Sequence, residues 1–266
     1  MNRAGKYPVV VMDDLRLCCL HSGTAQAREG YDDLARRFEF VEPAGADVIV
    51  ALGGDGFLLH CLHDYRTLGI PIYGMNRGTV GFLLNEFHEE GLTERIRTAK
   101  EVVLHPLRAS IQTVHGGSHH ALAFNEVALL RHARQSAHIQ VSISGRERLS
   151  RLVCDGVLVS TAAGSTAYNL SARGPIIPLG SNVIALTPIS PFRPRRWQGA
   201  LLPHDAVVEF RILDPEKRPV SAAADFAEVP DVASVIVAED RSRSVRVLFD
   251  PDHSLEERIF HEQFVA

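Results

Sequence analysis

Two glycines, a carboxylate and a third glycine, Gly53-Gly54-Asp55-Gly56, follow the apolar run Val48 to Leu52. In an open α/β sheet, ligands gather beyond the carboxyl ends of the strands, and a glycine turn there lets backbone amides approach a phosphate closely. Asp55 would repel that phosphate. Its chemical roles therefore reduce to accepting a proton from an attacking hydroxyl or helping to hold a cation. The plain structural reading is a tight turn with Asp in its usual place.

The stretch Phe124 to Leu130, FNEVALL, sets Asn125 and Glu126 side by side in an apolar strand. Neighbours on a strand face opposite sides, so one of the pair points to a core or cleft and needs a hydrogen-bonding partner, unless the strand is an edge with a wet face. A ribose hydroxyl would suit Glu126. Asp155-Gly156, between strand-like segments, reads by itself as a hairpin turn. Ser160 to Asn169, STAAGSTAYN, is dense in small hydroxyl residues around Gly164, ahead of a predicted short helix. A helix N-terminus of that kind attracts anions, while capping by Ser165 or Thr166 is the simpler alternative.

The elements that must position these residues have two textures. In the first hundred residues, short apolar runs (Pro8 to Met12, Val48 to Leu52, Ile70 to Tyr73) alternate with helical patterns over residues 24–38 and 88–101, which predicts an α/β layer with a mostly parallel sheet. After His105, stretches such as RASIQTVH, HIQVSISG, AVVEFRILD and SVRVLFD alternate apolar and polar residues between turn signals, as antiparallel strands do. The tail HSLEERIFHEQF predicts a final amphipathic helix.

Composition excludes several classes. With 266 residues, 45% hydrophobic and 23% charged, the chain is ordinary globular material, and its net charge of −4 with scattered Lys and Arg offers no broad basic face for nucleic acid. Cys18, Cys19, Cys61 and Cys154 have no regular spacing and read as free thiols of a reducing compartment, hence a cytoplasmic protein. No apolar run is long enough for a membrane span or a signal peptide. There is no GxxxxGK[ST], no GxGxxG after the first strand and no GxSxG. Neither His60/Cys61/His63 nor His115/His119/His120 has the spacing of a zinc site, so no protein-held metal is expected.

GGDG at Gly53 to Gly56, NE at Asn125-Glu126 and DGVLVSTAAGSTAYNLSARGPIIP from Asp155 to Pro178, in that order, resemble the NAD kinase family; GMNRGTVGFL from Gly74 to Leu83 resembles its Asn-x-Gly-x-x-Gly-Phe-Leu segment. GGDG is shared with lipid kinases and phosphofructokinases; the Ser-Thr-Ala-Tyr segment with the Asn-Glu pair is far more specific. The resemblance implies a bacterial-type enzyme with an N-terminal Rossmann/flavodoxin-like α/β domain (1–105) and an antiparallel β-sandwich-like, NAD-binding domain (106–249), the final strand and the tail from about 250 to 266 packing back on the first. It implies transfer of the γ-phosphoryl of ATP to the 2′-hydroxyl of the adenosine ribose of NAD, with a divalent cation, usually Mg²⁺.

By the same resemblance Asp55 is the general base, and Gly54, Gly56 and Phe57 lie against phosphates. Asn125 and Glu126 meet the adenosine half of NAD and Asp155 its nicotinamide end. Ala163, Thr166, Ala167, Tyr168, Asn169 and Ser171 belong to the dinucleotide cleft, and Asp225 stands where the family often has an Asp that reaches the ligand. The chain departs from the family's pattern in several places: Phe57 replaces a Thr, His60 stands where Lys or Arg is frequent, Cys154 precedes Asp155, Ala162-Ala163 replaces a Pro-containing pair, and Arg173 falls where Gly is common and is a candidate for donor-phosphate contact. Because family members are usually dimers or tetramers, the resemblance also implies a homodimer or homotetramer. Two other readings of the same residues are a GGDG-type lipid kinase and a non-catalytic dinucleotide-binding regulator.

Overall fold

The computed structural model describes residues 15–78 and 81–251. The run Pro8 to Met12 and the tail helix lie outside the described residues.

The first part of the chain alternates strands and helices: β1 (Leu17–His21), α1 (Ala25–Ala35), β2 (Val48–Gly53), α2 (Asp55–Tyr65), β3 (Ile72–Asn76), α3 (Leu92–Thr98) and β4 (Lys100–Leu104). Thr24 starts α1, its hydroxyl accepting from the Ala27 amide at 3.3 Å. β2 is buried along its whole length because both sheet faces are covered. Ile49 and Ala51 face a core layer with Leu58 and Leu62 of α2; Val48, Val50 and Leu52 face the layer with Leu34 and Leu92.

The rest is nearly all strand: β5 (Leu107–Thr113), β6 (Ser118–Ala123), β7 (Glu126–Arg131), β8 (Ala137–Ile143), β9 (Arg146–Cys154) and β10 (Gly156–Ser160). A 3₁₀ turn, Ala163–Thr166, leads into the one-turn helix α4 (Tyr168–Ser171). Then come β11 (Val183–Ile189), β12 (Ala200–Pro203), β13 (Val208–Ile212), β14 (Val220–Ala224), β15 (Ala227–Val229), β16 (Val232–Glu239) and β17 (Val245–Phe249).

Two six-stranded sheets, ordered β12-β11-β10-β7-β14-β15 and β6-β5-β16-β13-β8-β9, share one core, with Val127, Leu129 and Val157 from the first meeting Ile111, Val141 and Phe210 from the second. Within the sheets the pairings are antiparallel. The antiparallel strands are those that the alternating pattern predicts, and the sandwich is what the resemblance implies.

Three placements differ from the sequence reading. The first described strand is Leu17–His21, paired in parallel with β2, in a segment whose cysteines and leucines carried no clear period. Asp155-Gly156 is not a hairpin, since β9 pairs with β8 in one sheet whereas β10 pairs with β7 and β11 in the other; the dipeptide is where the chain changes sheets. SVRVLFD, counted inside the β-rich unit's bound at 249 although the resemblance returns the final strand to the first domain, forms β17 and inserts into the first sheet, ordered β1-β2-β3-β17-β4. Asn85 fastens it, donating to Leu248 O at 2.9 Å and accepting from the Asp250 amide at 2.9 Å, while Asp250 takes the Tyr73 hydroxyl at 2.6 Å and Arg95 at 2.5 Å. Burial and that carboxylate push the Tyr73 hydroxyl pKa well up.

All four cysteines are unpaired and buried, and Cys19, Cys61 and Cys154 have thiol pKa values pushed up to about 12 by burial. Among the described residues no helix is long and apolar enough to cross a membrane.

Candidate functional site

The glycines after β2 make a short corner. Gly53 closes the strand, Gly54 is the extended residue before the helix, and Asp55 is the first residue of α2, so the carboxylate sits on a helix start rather than on an open loop. A negative side chain is favourable there. Residues 76–78 and 81–85 lie against this corner. The Arg77 amide donates to Gly53 O at 2.8 Å, and the amides of Phe82 and Leu83 donate to the two Asp55 oxygens at 2.8 and 3.1 Å. These contacts aim the carboxylate.

Asp55, Phe82, Leu83, Asn125, Ala163, Thr166 and Ala167 line one cavity of about 40 Å³, closed underneath by Leu59 and Leu62 of α2. Five sequence-predicted residues therefore converge: Asp55, Asn125, Ala163, Thr166 and Ala167. Gly164 makes the approach possible. A Cβ on it would overlap the backbone of Asn125, so the 3₁₀ turn lies directly on the chain before β7. Thr161 seals the contact, its hydroxyl donating to Phe124 O at 2.6 Å and accepting from the Gly164 amide at 2.9 Å.

Glu126 opens β7 beside this cavity. Burial first, then the Asp225 charge, raise its carboxyl pKa to about 7 against an opposing backbone hydrogen bond from Tyr168. Its Oε2 is buried and unpartnered among the described residues. A buried acceptor without a donor marks a place where a ligand hydroxyl fits.

Other predicted residues have structural employment. Asp225, with a side chain 0% exposed, accepts from the amides of Phe124, Asn125 and Glu126 at 2.7, 3.1 and 3.3 Å and from His63 Nε2 at 2.7 Å. Its φ is +48°. It shapes the Asn-Glu segment. Asn169 is fully buried, donating to Ser165 O and Pro175 O at 3.1 and 2.9 Å and accepting from the Thr187 hydroxyl at 2.6 Å. Asp155 pairs with Arg131 at 2.5 Å at the sheet change. Ser171 and Arg173 are exposed, and Arg173 has φ +64°.

Neither Ser165 nor Thr166 caps a helix. The Ser165 hydroxyl instead bridges Ala162 O at 2.7 Å and the Ile177 amide at 2.9 Å, and α4 is a single turn, too short to act as an anion site. Phe57 packs under Gly53. His60 lies on another face of α2, its ring stacked on Phe226 with centroids 3.8 Å apart. Sequence reasoning missed Phe82, Leu83 and His63; the only signal for the first two was their place in GMNRGTVGFL, and for His63 its helical spacing from Gly56 and His60.

Among the described residues no group of three or more His, Cys, Asp or Glu is placed to hold a metal ion.

Residues 12–101 match the model of the ATP-NAD kinase N-terminal domain and residues 124–216 that of the ATP-NAD kinase C-terminal domain. The chain belongs to the NAD kinase family. It is 55% identical to an NAD kinase of Caulobacter vibrioides over 251 residues, 94% of this chain and 96% of that one. It is 51% identical to one of Cereibacter sphaeroides over 254 residues, 96% and 100% of the two chains. Among solved structures, yeast NADH kinase complexed with NADH superposes with a TM-score of 0.77 at 21% identity, covering 93% of this chain and 86% of that one. An NAD kinase from Archaeoglobus fulgidus in complex with ATP gives 0.70 at 22%, covering 93% and 98%. At those identities the likeness concerns the fold, and the α/β sheet followed by antiparallel sheets is the NAD kinase architecture.

Proposed function

We propose that the chain transfers the γ-phosphoryl of ATP to the 2′-hydroxyl of the adenosine ribose of NAD, giving NADP and ADP. The observation that carries this reading is the convergence of Asp55, Asn125, Thr166 and Ala167 on one cavity, with the unpartnered Glu126 oxygen beside it. A cavity of about 40 Å³ admits little more than a hydroxyl-bearing edge of a ligand. The ribose hydroxyl enters against Asp55, which takes its proton as the new oxygen–phosphorus bond forms and the β–γ bridge bond breaks, the electron pair leaving with ADP. Glu126 accepts from a neighbouring ribose hydroxyl.

Phosphoryl transfer asks a protein mainly for positioning and charge compensation. A Mg²⁺ ion held chiefly by substrate phosphates needs only one or two carboxylates from the protein, and Asp55 is the carboxylate in this cavity. When bound, such an ion would neutralise charge on the transferred group. Asp155, Tyr168 and Ser171 stay in the reading as contacts to the rest of the dinucleotide. The reading also includes a homodimer or homotetramer, which sedimentation velocity checks.

The test is NADP formation from NAD and Mg-ATP, read through an NADP-specific dehydrogenase, for the native chain beside Asp55→Asn. Turnover that collapses in the variant supports both reaction and base; NAD binding with no turnover in the native chain removes the reaction.

A further inference from the structure

Asp55, the base of the proposed reaction, stands on the α/β layer, whereas Asn125 and Glu126 open β7 of the sandwich. Each side is aimed from within its own unit. The Phe82 and Leu83 amides hold Asp55, and Asp225 gathers the amides of Phe124, Asn125 and Glu126. What brings the two sides to a working separation is the docking of one unit on the other. Apolar packing supplies part of it, with Phe124 and Ala163 lying in the core layer of Leu58, Leu59 and Leu62. That attraction is non-directional and sets no register.

Two residues of α2, one turn apart, grip the Asp225-Phe226 turn between β14 and β15. The His60 ring stacks on Phe226 with centroids 3.8 Å apart, and His63 meets Phe226 and Phe124 edge-on at 5.9 and 5.0 Å. His63 Nε2 lies 2.7 Å from Asp225 Oδ2, which also accepts from the Phe124 amide, so Nε2 carries the proton of this bond. Unlike the ring contacts, the hydrogen bond weakens steeply when bent and so fixes a direction. His63 follows Asp55 by eight residues, about 12 Å along one helix. Because the helix is rigid, holding its far end against Asp225 holds the carboxylate at its start against the Asn-Glu segment.

We propose that His63 is a positioning residue for the transfer. Acting through Asp225, it keeps Asp55 in reach of the ribose hydroxyl that Asn125 and Glu126 present, and itself touches none of the reacting atoms. The proposal rests on the phosphoryl-transfer reading above.

Initial rates with NAD and Mg-ATP test it in the native chain and two variants. His63→Phe keeps the ring packing and removes the donor; His63→Gln restores a side-chain N–H group toward Asp225. In His63→Phe, kcat is expected to fall about ten- to a hundredfold, the cost of a misplaced base, with the NAD KM within about threefold because Asp225 still holds its amides. His63→Gln recovers most of the loss. Adding Asp225→Asn to His63→Phe costs little beyond the larger single loss in kcat, as for residues acting through one bond.

Urea midpoints give the folded fraction of each variant, and a loss that only tracks that fraction overturns the proposal. So does an unchanged kcat in His63→Phe, an equal fall in His63→Gln, a change confined to the NAD KM, or losses that multiply with Asp225→Asn. NADP formation by the native chain is read first. None at all removes the phosphoryl-transfer reading and the proposal with it, whereas turnover that His63→Phe leaves intact removes the proposal alone.

Discussion

His63 Nε2 lies 2.7 Å from Asp225 Oδ2, and through that bond the helix that starts at Asp55 is tied to the backbone carrying Asn125 and Glu126. Three consecutive amides share the same carboxylate, so one buried side chain fixes the approach of two units of the fold. Asp225→Asn presents an N–H group to at least one donor. It should lower stability by about 2–3 kcal/mol, seen as a lower urea midpoint at unchanged slope. A native midpoint would show that the carboxylate is not needed there.

Asp55→Asn keeps size and one of the two contacts to Phe82 and Leu83, turning an N–H group toward the other amide, and removes the proton acceptor. The turnover number should fall about 10²- to 10⁴-fold, while the dissociation constant for NAD by calorimetry stays within a few-fold. A loss confined to NAD affinity would make Asp55 a binding group only.

Glu126 carries a pH signature. Its carboxyl pKa is raised from 4.5 to about 7 in the folded chain. The carboxyl is protonated in both states below 4.5; between 4.5 and 7 only the folded state keeps the proton, so stability falls as pH rises through that window and levels off above it. Glu126→Gln should therefore match the native chain near pH 4.5 and exceed it at pH 8 by up to roughly 2–3 kcal/mol. If a ribose hydroxyl donates to this carboxylate, NAD binding near pH 7 releases protons, and calorimetric enthalpies vary with buffer. Parallel pH–stability curves for the two proteins would rule the shift out.

Gly164→Ala places a methyl group into the backbone of Asn125. The 3₁₀ turn must move off β7, costing about 1–3 kcal/mol and widening the cavity that Asn125, Thr166 and Ala167 share with Asp55. Thermal unfolding and NADP formation should decline together; a variant as stable and active as the native chain would contradict the close approach.

Arg173 adopts φ +64° on an exposed turn. A left-handed conformation costs a non-glycine residue about 1–2 kcal/mol, and glycine gives back part of that in chain entropy. Arg173→Gly should raise stability by about 0.5–1 kcal/mol, read in the urea midpoint. An unchanged donor KM in the same variant would end Arg173's candidacy as a phosphate contact.

What the sequence revealed follows from what local pattern can encode. β2 and the glycines after it were legible because a strand covered on both faces is uniformly apolar and its end is punctuated. Asp-Gly at 155–156 misled, since the same dipeptide serves a hairpin or a change of sheet and only the partners of β9 and β10 decide. The backbone partners of Asn169 and Asp225 were not legible, because a polar residue in a motif does not disclose which main-chain groups it meets in the fold. His63 was passed over because its partner is 162 residues away.

The place of β17 has a consequence in time. A ribosome delivers β1 to β4 long before Val245–Phe249, and until then β3 and β4 have no strand between them. The nascent first layer presents two raw edges while the whole sandwich is made and folds. Closing it is a late, long-range pairing, the slow kind. The helix bearing Asp55 thus rests on an unfinished platform through most of synthesis, and the enzyme is born competent only when residue 249 has emerged.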